Sequence, residues 1–370
     1  MSSTPRVYML SNQLGAGGVP QVIYNVCEHL HDSDIDVRIG YLGGNDESVE
    51  RLRGLGYTVE RIGDGFPEIE QPISLYRAIA DYDPDIVHTH MAPASMLGRP
   101  IGSLVGAAVV STVHNIYTEH SGFAKLMDYP TSHLCDAVVL VSNAVRDSLP
   151  PTYGIGAEKA VIHNCIDAEA VRQQGEVPLD DLPWGDRIRG GGSVVANVAR
   201  FSKKKGQHDL VAALPDIVDR FPGSKLVMTG WGPMKAELET QATRLGVREN
   251  VVFLEKVENP YAVYYHADVI AFPSRFEGFS IGLLEAMAFG RPIVTTDIAP
   301  FVEALGEDYP TVSVGEPSEL ADRIVAFLSA PERAARRGER LRTRVDGRFS
   351  GDVAARKHAD LYRRLAATRR

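Results

Sequence analysis

Residues 273–292 read PSRFEGFSIGLLEAMAFGRP, and the residue types in this order describe a ligand-binding turn between a strand and a helix. The apolar run 269–272 has the character of a buried strand, and 281–289 reads as a buried helix. Gly278, Phe279 and Ser280 lie between them. A helix start offers N–H groups without intrahelical acceptors and a partial positive charge, so an anion at Phe279, Ser280 and Ile281 is favoured. Two carboxylates frame the turn, Glu277 before it and Glu285 inside the helix. Helical side chains lean toward the N-terminus, which aims Glu285 at whatever the helix start holds. A carboxylate does not bind an anion but accepts hydrogen bonds from hydroxyls, so both residues suit a ligand that carries sugar as well as phosphate. The plainer reading makes Glu277 a loop carboxylate and Glu285 a helix residue paired with an arginine.

Outward from this stretch, the length of 370 residues fits two α/β domains of about 180 residues each. The longest apolar run, 101–113, contains two glycines and two serines and is short of a bilayer span. The first residues lack both a charged segment and a long apolar one, so no secretory leader is expected and a cytoplasmic setting is the default. Cys27, Cys135 and Cys165 are odd in number and far apart, which favours reduced thiols over a disulfide frame or a zinc site. A net charge of −9 argues against an extended nucleic-acid surface.

The chain alternates strand and helix patterns from its start, which predicts doubly wound parallel sheets with ligands at the carboxyl ends of strands. The first such end is a glycine loop, residues 15–18, before a helix at 19–31. Pro20 stands where a dinucleotide fingerprint needs its third glycine, and no acid closes the next strand, so a nicotinamide site is rejected. Gly17 and Gly18 remain either a tight turn or a close backbone approach to a ligand. Later strand ends carry His88 and His90, then His114 with Asn115, then Ser142 with Asn143. A histidine there serves as a hydrogen-bonded structural residue or as a catalytic one. Metal binding by His88 and His90 lacks a third ligand. Polar loops at 63–71 and 116–123 are candidate acceptor-side segments. The Pro- and Gly-rich stretch 168–192 reads as the linker between domains 1–180 and 181–351.

The second domain delivers Arg200 at the end of its first strand, followed by Phe201, Ser202 and three lysines ending at Lys205. Arg200 and Lys205 either face one diphosphate, stabilising charge on a leaving group without a metal, or belong to a solvated basic run. No glycine precedes Lys205 and no Ser or Thr follows it, which excludes a Walker-type loop. Gly230 opens a turn, Gly230-Trp231-Gly232-Pro233, in which Trp231 stacks on a base or covers the turn. The Arg-rich segments 332–348 and 353–370 read as solvated helix, with a basic face able to touch anionic lipid.

The pattern FP-S-x2-E-G-F-x4-L-E-A-M-A-x-G-x-P at 272–292 resembles the signature of family 4 of the retaining, nucleotide-sugar-dependent glycosyltransferases. Arg-x4-Lys-Gly at 200–206, the turn at 230–233 and Asn164-Cys165-Ile166-Asp167 resemble further motifs of that family. The resemblance implies an α/β GT-B architecture of two Rossmann-like domains facing a deep cleft, with the last helix, about 352–370, returning to the first domain. It implies transfer of a hexose from a UDP- or GDP-sugar to a hydroxyl of a glycan, lipid or small molecule, without metal or cofactor. It assigns His114, Arg200, Lys205 and Glu277 to the reaction centre. Gly17, Gly18, Gly230, Val257, Gly278, Phe279, Ser280, Ile281 and Glu285 would hold the donor, with Glu285 on the ribose and backbone near Lys256-Val257-Glu258 on the base. Departures are Val19-Pro20 where Ala-Glu is common, Asn115 for Gly or Asp, Ala199 for Gly, and Cys165 for Gly. A catalytically idle nucleotide-sugar binder and a sugar-nucleotide epimerase of similar fold are the competing readings; the intact charged residues argue against the first.

Overall fold

Parallel strands covered by helices on both faces are buried on both sides, and the inner strands of this protein are accordingly mostly apolar runs, whereas the edge strands Thr58–Arg61 and Glu158–Val161 are charged and partly exposed. The computed structural model describes residues 4–15, 17–31, 33–64, 70–119, 122–255 and 257–368. The chain forms two compact units, Met1–Cys165 with Gly351–Arg370, and Ile166–Ser350.

In the first unit β1 (Arg6–Ser11), β2 (Asp36–Tyr41), β3 (Thr58–Arg61), β4 (Ile86–His90), β5 (Ala108–Val113), β6 (Ala137–Leu140) and β7 (Glu158–Val161) form one sheet in the order β3-β2-β1-β4-β5-β6-β7. All its pairings are parallel. The order reverses between β1 and β4, so the loop after β1 stands at the switch point. There Gly17 precedes the helix Gly18–Leu30 with φ 151°, ψ 170°, a conformation that a side chain would strain. The helix Gly351–Thr368 belongs to this unit and is not simply solvated: His358, Leu361, Tyr362 and Leu365 are buried in it. Its exposed arginines mark only the outer side, because a stripe of buried residues at helical spacing needs only one face.

The second unit repeats the scheme with β8 (Val194–Val198), β9 (Lys225–Thr229), β10 (Val251–Leu254), β11 (Val269–Phe272) and β12 (Ile293–Thr295), ordered β10-β9-β8-β11-β12 and all parallel. Val195, Leu226, Met228, Val269 and Ala271 form the sheet side of a core closed by Leu210, Leu214, Ile217, Leu320 and Ile324 from two helices. The switch point lies between β8 and β11.

Two expectations need correction. The units divide at 165/166 rather than at 180/181, and 168–192 is not a free linker. Asp167 caps the helix Ala168–Gly175 through the amide of Ala170, Arg187 Nη1 donates to the carbonyl of Phe253 at 3.0 Å, and Trp184 and Ile188 are buried. The glycines and prolines there make turns while two large apolar residues pack on the second unit. Cys165 is absent from the positive-φ residues, so its position needs no glycine; it is buried, and its carbonyl accepts from Asn25 Nδ2 at 2.6 Å. Among the described residues no helix is long and apolar enough to cross a membrane.

Candidate active site

At the second unit's switch point the loops after β8 and β11 are locked together through their backbones. Gly206 has φ 65°, and a Cβ there would lie 1.9 Å from the carbonyl oxygen of Pro273, so only glycine lets the two loops meet at this separation. The amide of Arg275 donates to the carbonyl of Lys204 at 2.8 Å. Buried Gln207 secures the first loop, donating through Nε2 to the carbonyl of Arg200 at 3.0 Å and accepting from the amide of Ser202 at 3.4 Å. Thr296 Oγ1 donates to the carbonyl of Ser274 at 2.5 Å and anchors the second loop.

This frame brings Lys205 and Glu277 into direct contact as an ion pair, with side chains 18% and 10% exposed. So little water reaches the pair that its charges are weakly screened, unlike those of a surface bridge. Ser274 Oγ donates to the same Glu277 oxygen at 3.0 Å. Arg200 is exposed, with its guanidinium 4.6 Å from the centroid of the Trp231 ring. Trp231 itself is 50% exposed, contrary to a role as cover of the turn, and its ring face serves as the platform for Arg200. The structure therefore gives each cation a partner within the protein, one a carboxylate and the other an aromatic face.

Beside them begins the helix Ile281–Ala288. Ser280 caps it by accepting from the amide of Leu283 at 3.3 Å. The amides of Ile281 and Gly282, in the first turn, have no acceptor within the helix. Phe279 is buried against Phe349, ring centroids 5.3 Å apart, which holds the turn. Glu285 follows on the helix, and its Oε1 accepts from Tyr261 Oη at 3.2 Å. Burial pushes its carboxyl up to about 7 despite that hydrogen bond, leaving it half ionised near neutrality. Gly230, at φ 149°, closes β9 with its amide on the carbonyl of Leu254 at 3.2 Å. Val257 is half-buried after β10, and Lys256 lies outside the described residues.

In the first unit His114 follows β5 and its Nε2 is hydrogen-bonded with His90 Nδ1 at 3.0 Å. His88 is fully buried, with Nδ1 on Tyr362 Oη at 2.6 Å and Nε2 on Thr112 Oγ1 at 2.7 Å. It is thus a structural histidine. Burial, then the neighbouring imidazoles, hold His88 and His90 well below the usual range and His114 at about 3, while burial, opposed by a hydrogen bond with the carbonyl of Ala354 and aided by Lys357, holds His358 at about 4. Among the described residues no group of three metal-ligating side chains forms. A cavity of about 210 Å³ beside His114 is lined by Asn12, Met91, Ser95, Thr112 and Tyr153. Met91 has φ 72°, an uncommon value for a residue with a side chain. Of the two candidate acceptor loops, residues 65–69, 120 and 121 lie outside the described residues.

Sequence reasoning missed Ser274, Tyr261 and Gln207 as partners of the site. The spacing of Ser274 three residues before Glu277 was a usable signal. Tyr261 and Gln207 offered none, since each depends on contacts between separate segments.

The four histidines set a pH dependence. Each is neutral when folded and titrates near 6.5 when unfolded, so below that pH the unfolded chain takes up protons that the folded chain refuses. Their contribution is complete above pH 6.5 and is lost as pH falls toward about 4 for His358 and 3 for His114. The melting temperature is expected to fall by several degrees from pH 6.5 to 5, followed by circular dichroism; a flat profile over that interval contradicts the buried neutral cluster.

The two parallel sheets, the joined loops and the capped helix start define a GT-B glycosyltransferase architecture. Family models agree: "Glycosyltransferase Family 4" matches residues 16–170 and "Glycosyl transferases group 1" matches 180–344. The chain belongs to the family 4 glycosyltransferases. It is similar to the glycogen synthase of Mycobacterium tuberculosis, 26% identical over 98% of this chain and 90% of that protein. It is also similar to the GDP-mannose-dependent alpha-(1-6)-phosphatidylinositol monomannoside mannosyltransferase of the same organism, 28% identical over 86% of this chain and 87% of the relative. Among solved structures, Anabaena HepE in complex with UDP superposes with a TM-score of 0.84 at 19% identity, covering 97% of this chain and 100% of that one. Sucrose-phosphate synthase of Thermosynechococcus elongatus gives 0.76 at 20%, over 98% and 100%.

Proposed function

We propose that this glycosyltransferase moves a hexose from a nucleotide diphosphate sugar to an acceptor hydroxyl with retention at the anomeric carbon and without a metal. The observation that carries the reading is the contact of Lys205 with Glu277 on two loops locked at the switch point, next to a helix start and Arg200. A diphosphate placed there competes with Glu277 for the Lys205 ammonium and also meets the first-turn amides and the guanidinium of Arg200. Glu277 is then released to accept from sugar hydroxyls. The bond from the anomeric carbon to the diphosphate oxygen breaks, the acceptor oxygen bonds to that carbon on the same face, and the acceptor's proton passes to the departing phosphate. No enzymic nucleophile is consumed, so the protein's part is to orient the reactants and stabilise the leaving charge.

The family resemblance assigns His114 to the sugar, Gly17 and Gly18 to the phosphates, and Gly230 and Val257 to the nucleoside. The neutral state of His114 suits a hydrogen bond to a hydroxyl rather than proton transfer. UDP is favoured over GDP, in keeping with the HepE structures that hold UDP and UDP-glucose. The mannosyltransferase relative, by its name GDP-mannose-dependent, supports the second reading. A thermal-shift panel of UDP, GDP, ADP and their sugars tests both, because a ligand bound only by the folded protein raises its melting temperature. Raised melting with UDP and transfer from a UDP-sugar is the expected result; no shift with any nucleotide sinks the proposal.

Glu285 adds a pH signature. As an ionised carboxylate it accepts from two ribose hydroxyls, and with its carboxyl at about 7 that form is lost as the pH falls below neutrality. The donor KM is expected to rise severalfold from pH 8 to 6, and Glu285→Gln to flatten the dependence. An unchanged profile in that variant removes Glu285 from the ribose.

A further inference from the structure

The helix Pro331–Arg348 carries more arginine than its packing needs, and the distribution is uneven. Buried Ala334, Gly338, Leu341 and Val345 seat it on the second unit. Arg336 and Arg342 pair with Glu332 and Glu339 of the same helix at 4.0 and 3.4 Å. Arg337, Arg340, Arg344 and Arg348, spaced along one side, instead line a cavity of about 440 Å³. Among the described residues none of these four has a carboxylate within 4.0 Å.

Like charges three and four residues apart oppose one another on a helix, so such a row is a standing electrostatic cost unless an anion relieves it. Arg344 shows that cost: burial, then the charge of Arg348, lowers its guanidinium from the ordinary value. It is fixed by donating Nε to the carbonyl of Ala304 at 2.7 Å and Nη2 to that of Glu303 at 3.0 Å. Tyr309 lines the opposite wall, its Oη hydrogen-bonded to both the amide and the carbonyl of Ile293 at 2.9 Å. Glu307 and Asp308 also line the cavity, both exposed and screened by water, and against the four guanidiniums they leave two positive charges in excess.

Ile293 is the first residue of β12, so this cavity lies at the amino ends of the strands, whereas Lys205 and Glu277 stand at the carboxyl ends. It is therefore not part of the site described above. Phe349, next after Arg348, packs on Phe279 and so joins the arginine helix to the glycine turn.

We propose that the cavity between Arg337, Arg340, Arg344, Arg348 and Tyr309 is a second anion site that takes the phosphate of a phosphorylated ligand. Planar guanidiniums lining one cavity, none of them ion-paired within 4.0 Å among the described residues, suit the oxygens of a phosphate. The phosphate is that of a lipid headgroup or of a soluble phosphate ester, and two probes separate these sources.

Inorganic pyrophosphate is titrated calorimetrically into protein carrying Lys205→Ala, in which the other anion site is weakened, and vesicles of phosphatidylcholine with or without phosphatidylglycerol are sedimented with the same protein. Arg340→Gln with Arg348→Gln is expected to weaken pyrophosphate binding by about tenfold or more. The charge-matched pair Arg333→Gln with Arg336→Gln, on residues that do not line the cavity, is expected to leave it within about threefold. Both pairs change exposed side chains, and unchanged melting certifies folding. Pyrophosphate binding lost only with the cavity pair, without vesicle binding, identifies a soluble phosphate. Sedimentation with phosphatidylglycerol vesicles lost only with the cavity pair identifies a headgroup. Binding of neither probe, or equal weakening by both pairs, overturns the proposal.

Discussion

Lys205→Ala is expected to lower kcat/KM for hexose transfer by two to three orders of magnitude while the protein stays folded, and Arg200→Ala to do nearly as much. Removing a fixed donor from charge that develops on a leaving group typically costs about 3–4 kcal/mol in the transition state, which corresponds to such factors. The two cations differ in what they leave behind. Arg200 is exposed over Trp231, so its loss disturbs only a surface stack. Lys205 leaves Glu277 mostly buried with Ser274 as its remaining hydrogen-bond donor among the contacts at this loop, and stability should fall by about 1–3 kcal/mol. Lys205→Ala combined with Glu277→Gln should recover part of that stability and none of the transfer. Initial rates and thermal melts on the same preparations separate the effects. Turnover within a few fold of the unsubstituted protein, in a folded Lys205→Ala variant, would falsify the proposed charge-stabilising role.

Gly206→Ala is expected to cost both stability and activity, and Gly246→Ala to cost only the first and less of it. Both glycines have positive φ, 65° and 73°, where a side chain is disfavoured by about 1–2 kcal/mol. They differ in their surroundings. A Cβ at Gly246 meets nothing within 4 Å, whereas at Gly206 it falls 1.9 Å from a backbone oxygen of Pro273. Backbone cannot swing aside as a side chain does, so the loops after β8 and β11 must separate, and Lys205 with them from Glu277. A displacement of about 1 Å at a reacting centre is worth about 100-fold in rate. The expected difference is a melting temperature several degrees lower than that of Gly246→Ala, with a transfer rate down by about that factor. Equal melting and equal rates in the two variants would show that the close approach at Pro273 does not hold the site.

The reading of 269–289 as strand, turn and helix holds to within one residue, the helix ending at Ala288 rather than Phe289, because each part is announced locally. Four apolar residues, a glycine and a serine cap require no information from elsewhere in the chain. Trp231 and the segment 168–192 were read less well for the same reason in reverse. What a tryptophan in a turn packs against, or whether a Pro- and Gly-rich segment is bound to a sheet, depends on residues far along the chain. The histidines at the ends of β4 and β5 were visible as a set of three, but the fourth, His358, comes from a helix about 250 residues further on.

The sequence by itself determined the α/β alternation, the strand ends on which charged residues collect, and the family, since hydrophobic period and turn chemistry are properties of neighbouring residues. Only the tertiary structure decided which of those ends touch: Lys205 onto Glu277, Arg200 onto Trp231, Tyr261 onto Glu285, His90 onto His114. Strand order makes these pairings. β8 and β11 are separated by about 70 residues of chain yet lie side by side, and hydrogen bonds between strands place their loops together irrespective of sequence distance.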